Sequence, residues 1–591
     1  MRFFPPRSIL SWISLAAAAL GPIAADPVAR ASPVAPPAAA TILNHETVVD
    51  LQPFRRVMSA AIRAADGRIG RARLFDLSPN VREWYLLEVR WREDEQPSFY
   101  HLENPRPASQ RLEVDAEGLV RVEPERRVRC GLWTDLRSAL ETASRSGLPY
   151  APLCEGSVYV RNPASGSKTK VEWATDFLRD YIPKGDAITS LVKRIFFQDH
   201  FLLPAHDVDL GGAGKGPPRP LRGGNAPDAA RIDPAFAARA VVAQGLGLDV
   251  EGAAGRTLAV GEWYMATHAP GVFVSAIHPK AIAPELLLGH RDRVSQLDEV
   301  EGDALDYLVA FDLKKFDIAF SMGTEHPRVD WSSRASEDVR DPALPGPDGI
   351  GDVAPLVRTG LVPPWAAERV AASFTGGFRR SHGAFKWGYL SERNHGSHYG
   401  FLESGVVLST LQPGLATLFV LEDGSVKMRT WSEADQALLP SVRHALQNGV
   451  PILERDERTG VGIPGKLVGQ WALGNWSGSM DVRFRTVRAG VCLQQHPDGD
   501  FLVYGYFSSA TPSAMARVFQ AYSCSYAMML DMNALEHTYL ALYILQSSGL
   551  HAEHLIDGMG VLDKSAGGHE LPRFIGFPDN RDFFYLLRRP S

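Results

Sequence analysis

The sequence predicts an α+β protein in two folded units, a mixed β-sheet domain preceded by a smaller α+β domain. Three observations lead there. At 591 residues the chain exceeds one ordinary domain. Its 45% hydrophobic and 22% charged content is that of a globular protein with material for a core. Segments of helical and of strand spacing alternate on both sides of a Gly/Pro-rich break at residues 211–228. The formal net charge of -6 argues against a general nucleic-acid binder, which carries a basic surplus.

Residues 1–25 read as a secretory signal: Arg2 and Arg7 precede an apolar segment, and Ile23-Ala24-Ala25 offers a small-residue cleavage site. An uncleaved anchor is the competing reading, although Gly21 and Pro22 interrupt the apolar stretch. The Ala/Pro-dominated residues 26–40 form a disordered tether. No later run is long and apolar enough to cross a bilayer, so the expectation is an exported chain, periplasmic or extracellular, with no integral membrane segment after signal cleavage. Its four cysteines permit disulfides, and proximity favours Cys130 with Cys154 and Cys492 with Cys524; buried thiols are the alternative.

The first unit covers residues 41–210. Phe54, Val57, Met58, Ala61 and Ile62 recur at helical spacing, whereas 84–91, 112–122 and 157–160 read as strands. Residues 171–181 and 187–197 read as helices split by Pro183-Lys184-Gly185. The stretch 165–169 (SGSKT) lacks the glycine spacing of a phosphate loop and reads as a polar turn. Residues 211–255 form a Gly/Pro-rich linker with an alanine-rich helix at 234–244.

The second unit covers residues 256–591. Strands are expected at 257–264, 271–278, 307–313 and 316–322, and a short helix at 364–371. Two hairpins turn at Asp423-Gly424 and Asp498-Gly499, residues 441–448 read as a helix, and Pro512 opens another with Met515, Val518, Phe519 and Tyr522 on one face.

Two stretches carry chemistry. In 371–387 an apolar run ends in Thr375, Gly376 and Gly377, and then come Arg379, Arg380, His382 and Lys386. Glycines allow close backbone approach to a ligand, and clustered cations suit an anion. In 527–533 an apolar strand ends abruptly in Asp531 and Asn533, a polar strand terminus of the kind on which sites are built. Glu325 and His326 form a further polar cluster able to close on the same cleft.

The order of these features, Thr375-Gly376-Gly377-Phe378, Asp423-Gly424, 450–453, Gly490-Val491, Asp498-Gly499, the Pro512 helix and Leu530-Asp531, resembles that of the phosphodiester glycosidase domain family. The resemblance covers about 256–590. It departs from the family in two places: Thr375 stands where members carry asparagine, and Met532-Asn533-Ala534-Leu535 replaces a glycine run.

The resemblance implies an exported hydrolase that cleaves a sugar phosphodiester or related glycosidic linkage in envelope or exopolysaccharide glycan. Its partner is then a carbohydrate or sugar-phosphate substrate, with no cofactor. Asp531, Thr375 and Glu325 become the catalytic candidates. Gly376, Gly377, Arg379, Arg380, His382, His326 and Asn533 become the substrate-binding ones. The alternative is a non-catalytic glycan-binding or scaffolding protein that keeps the fold. His382, His395 and His398 are read as hydrogen-bonding or exposed groups and not as metal ligands, and His551, Glu553 and His554 as a helix surface.

Overall fold

The computed structural model describes residues 47–133, 138–170, 172–173, 197–209, 226–252, 256–332, 335–344, 346, 348–352, 357–379, 385, 388–396, 400–469, 483–547 and 549–590. The expected signal, tether, most of the Gly/Pro linker and most of the helices at 171–181 and 187–197 lie outside these residues. Strand accounts for 40% and helix for 13% of the structure, in many antiparallel sheets, so the α+β expectation is corrected to a mostly β architecture. No described helix is long and apolar enough to cross a membrane.

Three expected helices are strands. Arg56–Arg63 pairs with Ile69–Asp76. Its inward residues are Met58, Ala60 and Ile62, at period 2, while Val57 and Ala61 face outward. The helical spacing arises because apolar residues lie on both faces of the strand. Val442–Gln447 lies between two partners, with Val442 and the run from His444 to Gln447 buried, so no alternation is visible in its sequence. The alanine-rich 234–244 segment gives only a short 3-10 turn, Pro234–Phe236, before the strand Arg239–Val242, because pairing on both sides outweighs alanine's helix propensity.

An eight-stranded sheet forms the centre, in the order Trp263–Met265, Val272–Ile277, Asp306–Asp312, Phe501–Ala510, Thr486–Gln494, Tyr526–Met532, Pro451–Arg455, Gly462–Pro464. Its three middle strands are buried along their whole length. Gly490 and Gly505 face each other across the ladder. A Cβ on Gly490 would stand 2.8 Å from Met515, and one on Gly505 3.1 Å from Phe519, so the glycine pair makes room for the helix Pro512–Ala521. Thr511 caps that helix, its hydroxyl accepting from Ala514 N–H.

A five-stranded sheet, Phe316–Ser321, Phe583–Arg588, Val370–Thr375, Leu540–Gln546, Gly549–His554, packs into the same core through Phe374, Phe584 and Tyr504. A second five-stranded sheet runs Val406–Ser409, Phe401–Glu403, Val442–Gln447, Ala416–Leu421, Val426–Thr430. Toward the N-terminus, six antiparallel strands spanning Arg56–Arg63 to Val158–Arg161 keep a separate core that includes Leu74, Leu87 and Val160. Both favoured disulfides form, Cys130–Cys154 and Cys492–Cys524.

Arg161, fully buried, joins the N-terminal sheet to the rest. It stacks over Trp84 at 3.9 Å and donates to Glu103 at 3.4 Å and Glu403 at 3.1 Å. Glu403 in turn accepts Met322 N–H at 3.2 Å, one residue before the segment that carries Glu325. Burial pushes the Glu103 carboxyl from its ordinary 4.5 up to about 8, against the pull of Arg161. The folded state therefore holds a proton that the unfolded chain releases. Glu103's contribution is fully present below pH 4.5 and is lost as pH rises through about 8. Glu103→Gln is expected to flatten the stability profile in that window, read as the denaturation midpoint at several pH values; an unchanged slope would put the buried proton elsewhere.

Candidate functional site

The strand Val370–Thr375 leaves its sheet at Thr375, whose hydroxyl accepts Tyr539 N–H at 3.1 Å and is buried. Thr375 thereby pins the strand to its neighbour. Gly376 N–H donates to the Asp582 carbonyl at 2.8 Å, and Phe378 N–H to Asn448 Oδ1 at 3.3 Å. Gly377 N–H, between them, makes no hydrogen bond to any described group. A Cβ on Gly377 would stand 3.1 Å from the Asn448 side chain, so glycine lets the turn close on it.

Asn448 is the staple that brings the two predicted stretches together. Fully buried, it also donates through Nδ2 to the carbonyls of Met529 and Leu530, each at 2.7 Å. The glycine turn and the Asp531 strand end therefore share one amide side chain.

Asp531 is 5% exposed. Its Oδ1 accepts Met532 N–H at 2.8 Å and its Oδ2 is ion-paired with Arg581. Arg581 reaches the other way to Glu172 Oε1, at 3.0 Å from Nε and 2.8 Å from Nη2. Burial alone would raise the Glu172 carboxyl, but the Arg581 charge and His537 overcome it and hold Glu172 well below the usual carboxylate range. Burial likewise opposes the charge on Arg581, and Asp531 and Glu172 outweigh it. Asn533 follows the strand at φ 79, a left-handed position that asparagine tolerates, and its Oδ1 is buried with no hydrogen-bond partner among the described residues.

Glu325 is ion-paired with Lys168 and with Arg379, whose Nε lies 2.8 Å from Oε2. Arg358 is close enough to feel the same carboxylate, while its burial lowers its own affinity for a proton. Three cations thus gather around one carboxylate. His326, 2% exposed, is hydrogen-bonded through Nδ1 to Asp582 Oδ2 at 2.8 Å and stacks near Phe401. Arg380 and His382 lie outside the described residues, as does His398.

The structure thus brings together Thr375, Gly376, Gly377, Asp531 and Asn533 at two neighbouring strand ends, with Arg379, Glu325 and His326 tied in through Asp582. Asp582 accepts from Gly376 N–H, from Gly323 N–H at 2.7 Å and from the His326 ring. That hub, together with Arg581, Asn448, Glu172, Lys168 and His537, is what sequence reasoning missed. A signal was present: Asp579-Asn580-Arg581-Asp582 is a run of four polar residues directly before the apolar strand Phe583–Arg588.

Lys168 and Glu172 come from the stretch read as a polar turn and the start of a helix. Gly166 fits there because its missing Cβ would otherwise stand 2.7 Å from Asn580 N, and Ser167 N–H bonds the Pro578 carbonyl at 2.9 Å. The chain from the N-terminal half therefore lies directly on the 578–582 loop.

Among the described residues one trio with metal-capable side chains meets, Asp249, His268 and Glu553, with donor atoms within 4.8 Å. His268 Nδ1 and Glu553 Oε1 are already hydrogen-bonded at 2.8 Å. His551 and His554 sit on the strand Gly549–His554, not on a helix, and are hydrogen-bonded to Glu570 and Asp563, each at 3.1 Å.

Neither a family model nor a curated protein matches this chain. Among solved structures it is similar to a "Crystal structure of a hypothetical protein from Synechocystis", with 8% sequence identity over 88% of this chain and 97% of that chain, and a TM-score of 0.25. At that level the likeness carries no argument about fold or activity.

Proposed function

We propose that this protein is an exported hydrolase acting on a sugar phosphodiester or a related linkage in an envelope or exopolysaccharide glycan. The observation that carries the reading is the gathering of Lys168, Arg379 and Arg358 around Glu325, next to the glycine turn. A phosphodiester is an anion suited to clustered cations, and arginine matches its oxygens with two parallel donors. The Gly377 N–H, without a hydrogen-bond partner among the described residues, adds a backbone donor of fixed direction. Asp531, at the adjoining strand end, is the carboxylate to stabilise positive charge developing at the sugar's anomeric carbon. Phosphate is a good leaving group, so little general-acid help is demanded.

A glycan-binding protein without turnover is the second reading. One observation favours it: Asp531 is buried, with both oxygens already engaged.

The test is a screen of the purified protein against sugar phosphodiesters. Asp531→Asn, checked for native circular dichroism and melting, is expected to lower turnover about 10²–10³-fold. Undiminished turnover in that variant would remove Asp531 from the chemistry, and a wild-type protein that binds glycans but releases no sugar would establish the second reading.

A further inference from the structure

Asp249, His268 and Glu553 lie on three chain segments that the backbone ties together. Glu553 belongs to Gly549–His554, the outer strand of the first five-stranded sheet. The segment carrying Asp249 is bonded to the end of that strand: Leu246 bridges Ile556 in antiparallel fashion, and Gly247 N–H donates to the Leu555 carbonyl at 3.0 Å. Further along, Val250 bridges Ala266, and the Asp249 carbonyl accepts Thr267 N–H at 2.9 Å. His268 is the next residue, in the turn that joins Trp263–Met265 to Val272–Ile277 of the central sheet. Backbone hydrogen bonds therefore fix where the three side chains start.

The donor atoms of the trio all lie within 4.8 Å of one another, and His268 Nδ1 stands 2.8 Å from Glu553 Oε1. Two ligands of one zinc ion, bonded at about 2.0–2.1 Å in a tetrahedron, stand about 3.3 Å apart. The imidazole and the Glu553 carboxylate are thus already near ligand spacing. Asp249 is exposed, and its carboxylate has no hydrogen bond or ion pair among the described residues, so it can turn to close the remaining gap. A second observation points to a cation. Glu553 Oε2 is buried without a hydrogen-bond partner among the described residues, and no Lys or Arg among them is ion-paired with Glu553 or Asp249. An unpaired buried carboxylate oxygen is costly, and a positive ion on that carboxylate offsets the cost. The His268 side chain is 46% exposed, which leaves the other coordination positions to water.

We propose that Asp249, His268 and Glu553 bind one divalent transition-metal ion of the zinc class, through His268 Nδ1 and one oxygen of each carboxylate. Imidazole suits zinc, whereas calcium and magnesium prefer oxygen ligands throughout. Binding uses the Nε2–H tautomer, which leaves the Nδ1 lone pair for the metal. An ion held there cross-links the outer strand of one sheet to a turn of the other and stabilises the folded chain. This is independent of the hydrolase reading.

The test is isothermal titration calorimetry of the purified, chelator-treated protein with zinc, calcium and magnesium chlorides in turn. The wild type is expected to bind zinc and to ignore calcium and magnesium at the same concentration. Asp249→Asn and His268→Gln, each checked for native circular dichroism, are expected to weaken zinc binding at least about 10-fold. Asp249→Asn is the decisive variant, because that carboxylate holds nothing else among the described residues. His551→Ala is the control. His551 lies on the same strand as Glu553 and is also hydrogen-bonded to a carboxylate, Glu570 at 3.1 Å, but has no third donor among the described residues, so zinc affinity should be unchanged. Zinc should raise the Tm of the wild type and of His551→Ala, and leave that of Asp249→Asn in place. No zinc uptake by the wild type overturns the proposal. So does uptake that Asp249→Asn and His268→Gln leave unchanged, or that His551→Ala weakens as much, since either marks an adventitious surface ion. Calcium or magnesium bound more tightly than zinc overturns the class of metal, and a zinc-bound wild type with an unmoved Tm overturns the cross-link.

Discussion

Arg581→Met is expected to destabilise the protein by about 3–5 kcal/mol, because it leaves two buried carboxylates without their shared cation. Asp531 and Glu172 are 5% and 6% exposed, and Arg581 is ion-paired with both. Methionine fills much of the same volume, so the loss is one of charge and hydrogen bonds. Chemical denaturation measures it. A second comparison isolates the cause: adding Glu172→Gln and Asp531→Asn to Arg581→Met removes the orphaned charges and should recover a large part of the loss. Such non-additivity is expected where residues share one network. If the triple variant is less stable than the single one, the arginine acts through packing.

Gly360→Ala has the second large effect. Gly360 adopts φ +58, and a Cβ there would collide with the Asp579 carbonyl oxygen and stand 2.9 Å from Asp579 N. The two backbones are joined by the Asp579 N–H to Gly360 carbonyl bond at 2.8 Å, and Gly360 N–H reaches the Met322 carbonyl at 3.2 Å. An alanine must therefore push the 578–582 loop away, and Arg581 and Asp582 move with it. Gly567 provides the control, since it has the same φ of +58 but nothing within 4 Å of its Cβ position. Gly567→Ala is expected to cost about 1 kcal/mol, the backbone strain alone. Gly360→Ala should cost at least 2–3 kcal/mol more, roughly the scale of a forced backbone shift in a packed interior. Equal melting temperatures for the two variants would show that the loop yields freely.

What could be read from the chain follows from how local each signal is. The hairpin at Asp423-Gly424 was legible because alternation and turn residue lie within a dozen positions, and it appears as Ala416–Leu421 paired with Val426–Thr430. The Pro512 helix was legible for the same reason, with its start signal and apolar face in one stretch. Fold class was misread where burial hides the period. Val442–Gln447 is covered on both faces and Arg56–Arg63 has apolar residues on both, so neither shows the pattern of a half-exposed strand.

The site divides along the same line. Gly376, Gly377 and Asp531 stood out because each sits at the abrupt end of an apolar run. Glu172, Arg581, Asp582 and Asn448 did not, because their importance lies in which partners they meet. No spacing in the sequence relates Asn448 to both Phe378 and Leu530.

The Glu172–Arg581 pair joins residues separated by 409 positions. A contact of that span returns nothing until almost all the chain between has been ordered, so its formation belongs at the end of folding. In a refolding experiment the sheets should regain their circular dichroism well before the Glu172–Arg581 pair closes, and simultaneous recovery would contradict this order. Any function that depends on the pair then reports completion: a chain with its sheets formed and its N-terminal segment undocked would look native to spectroscopy and remain inert.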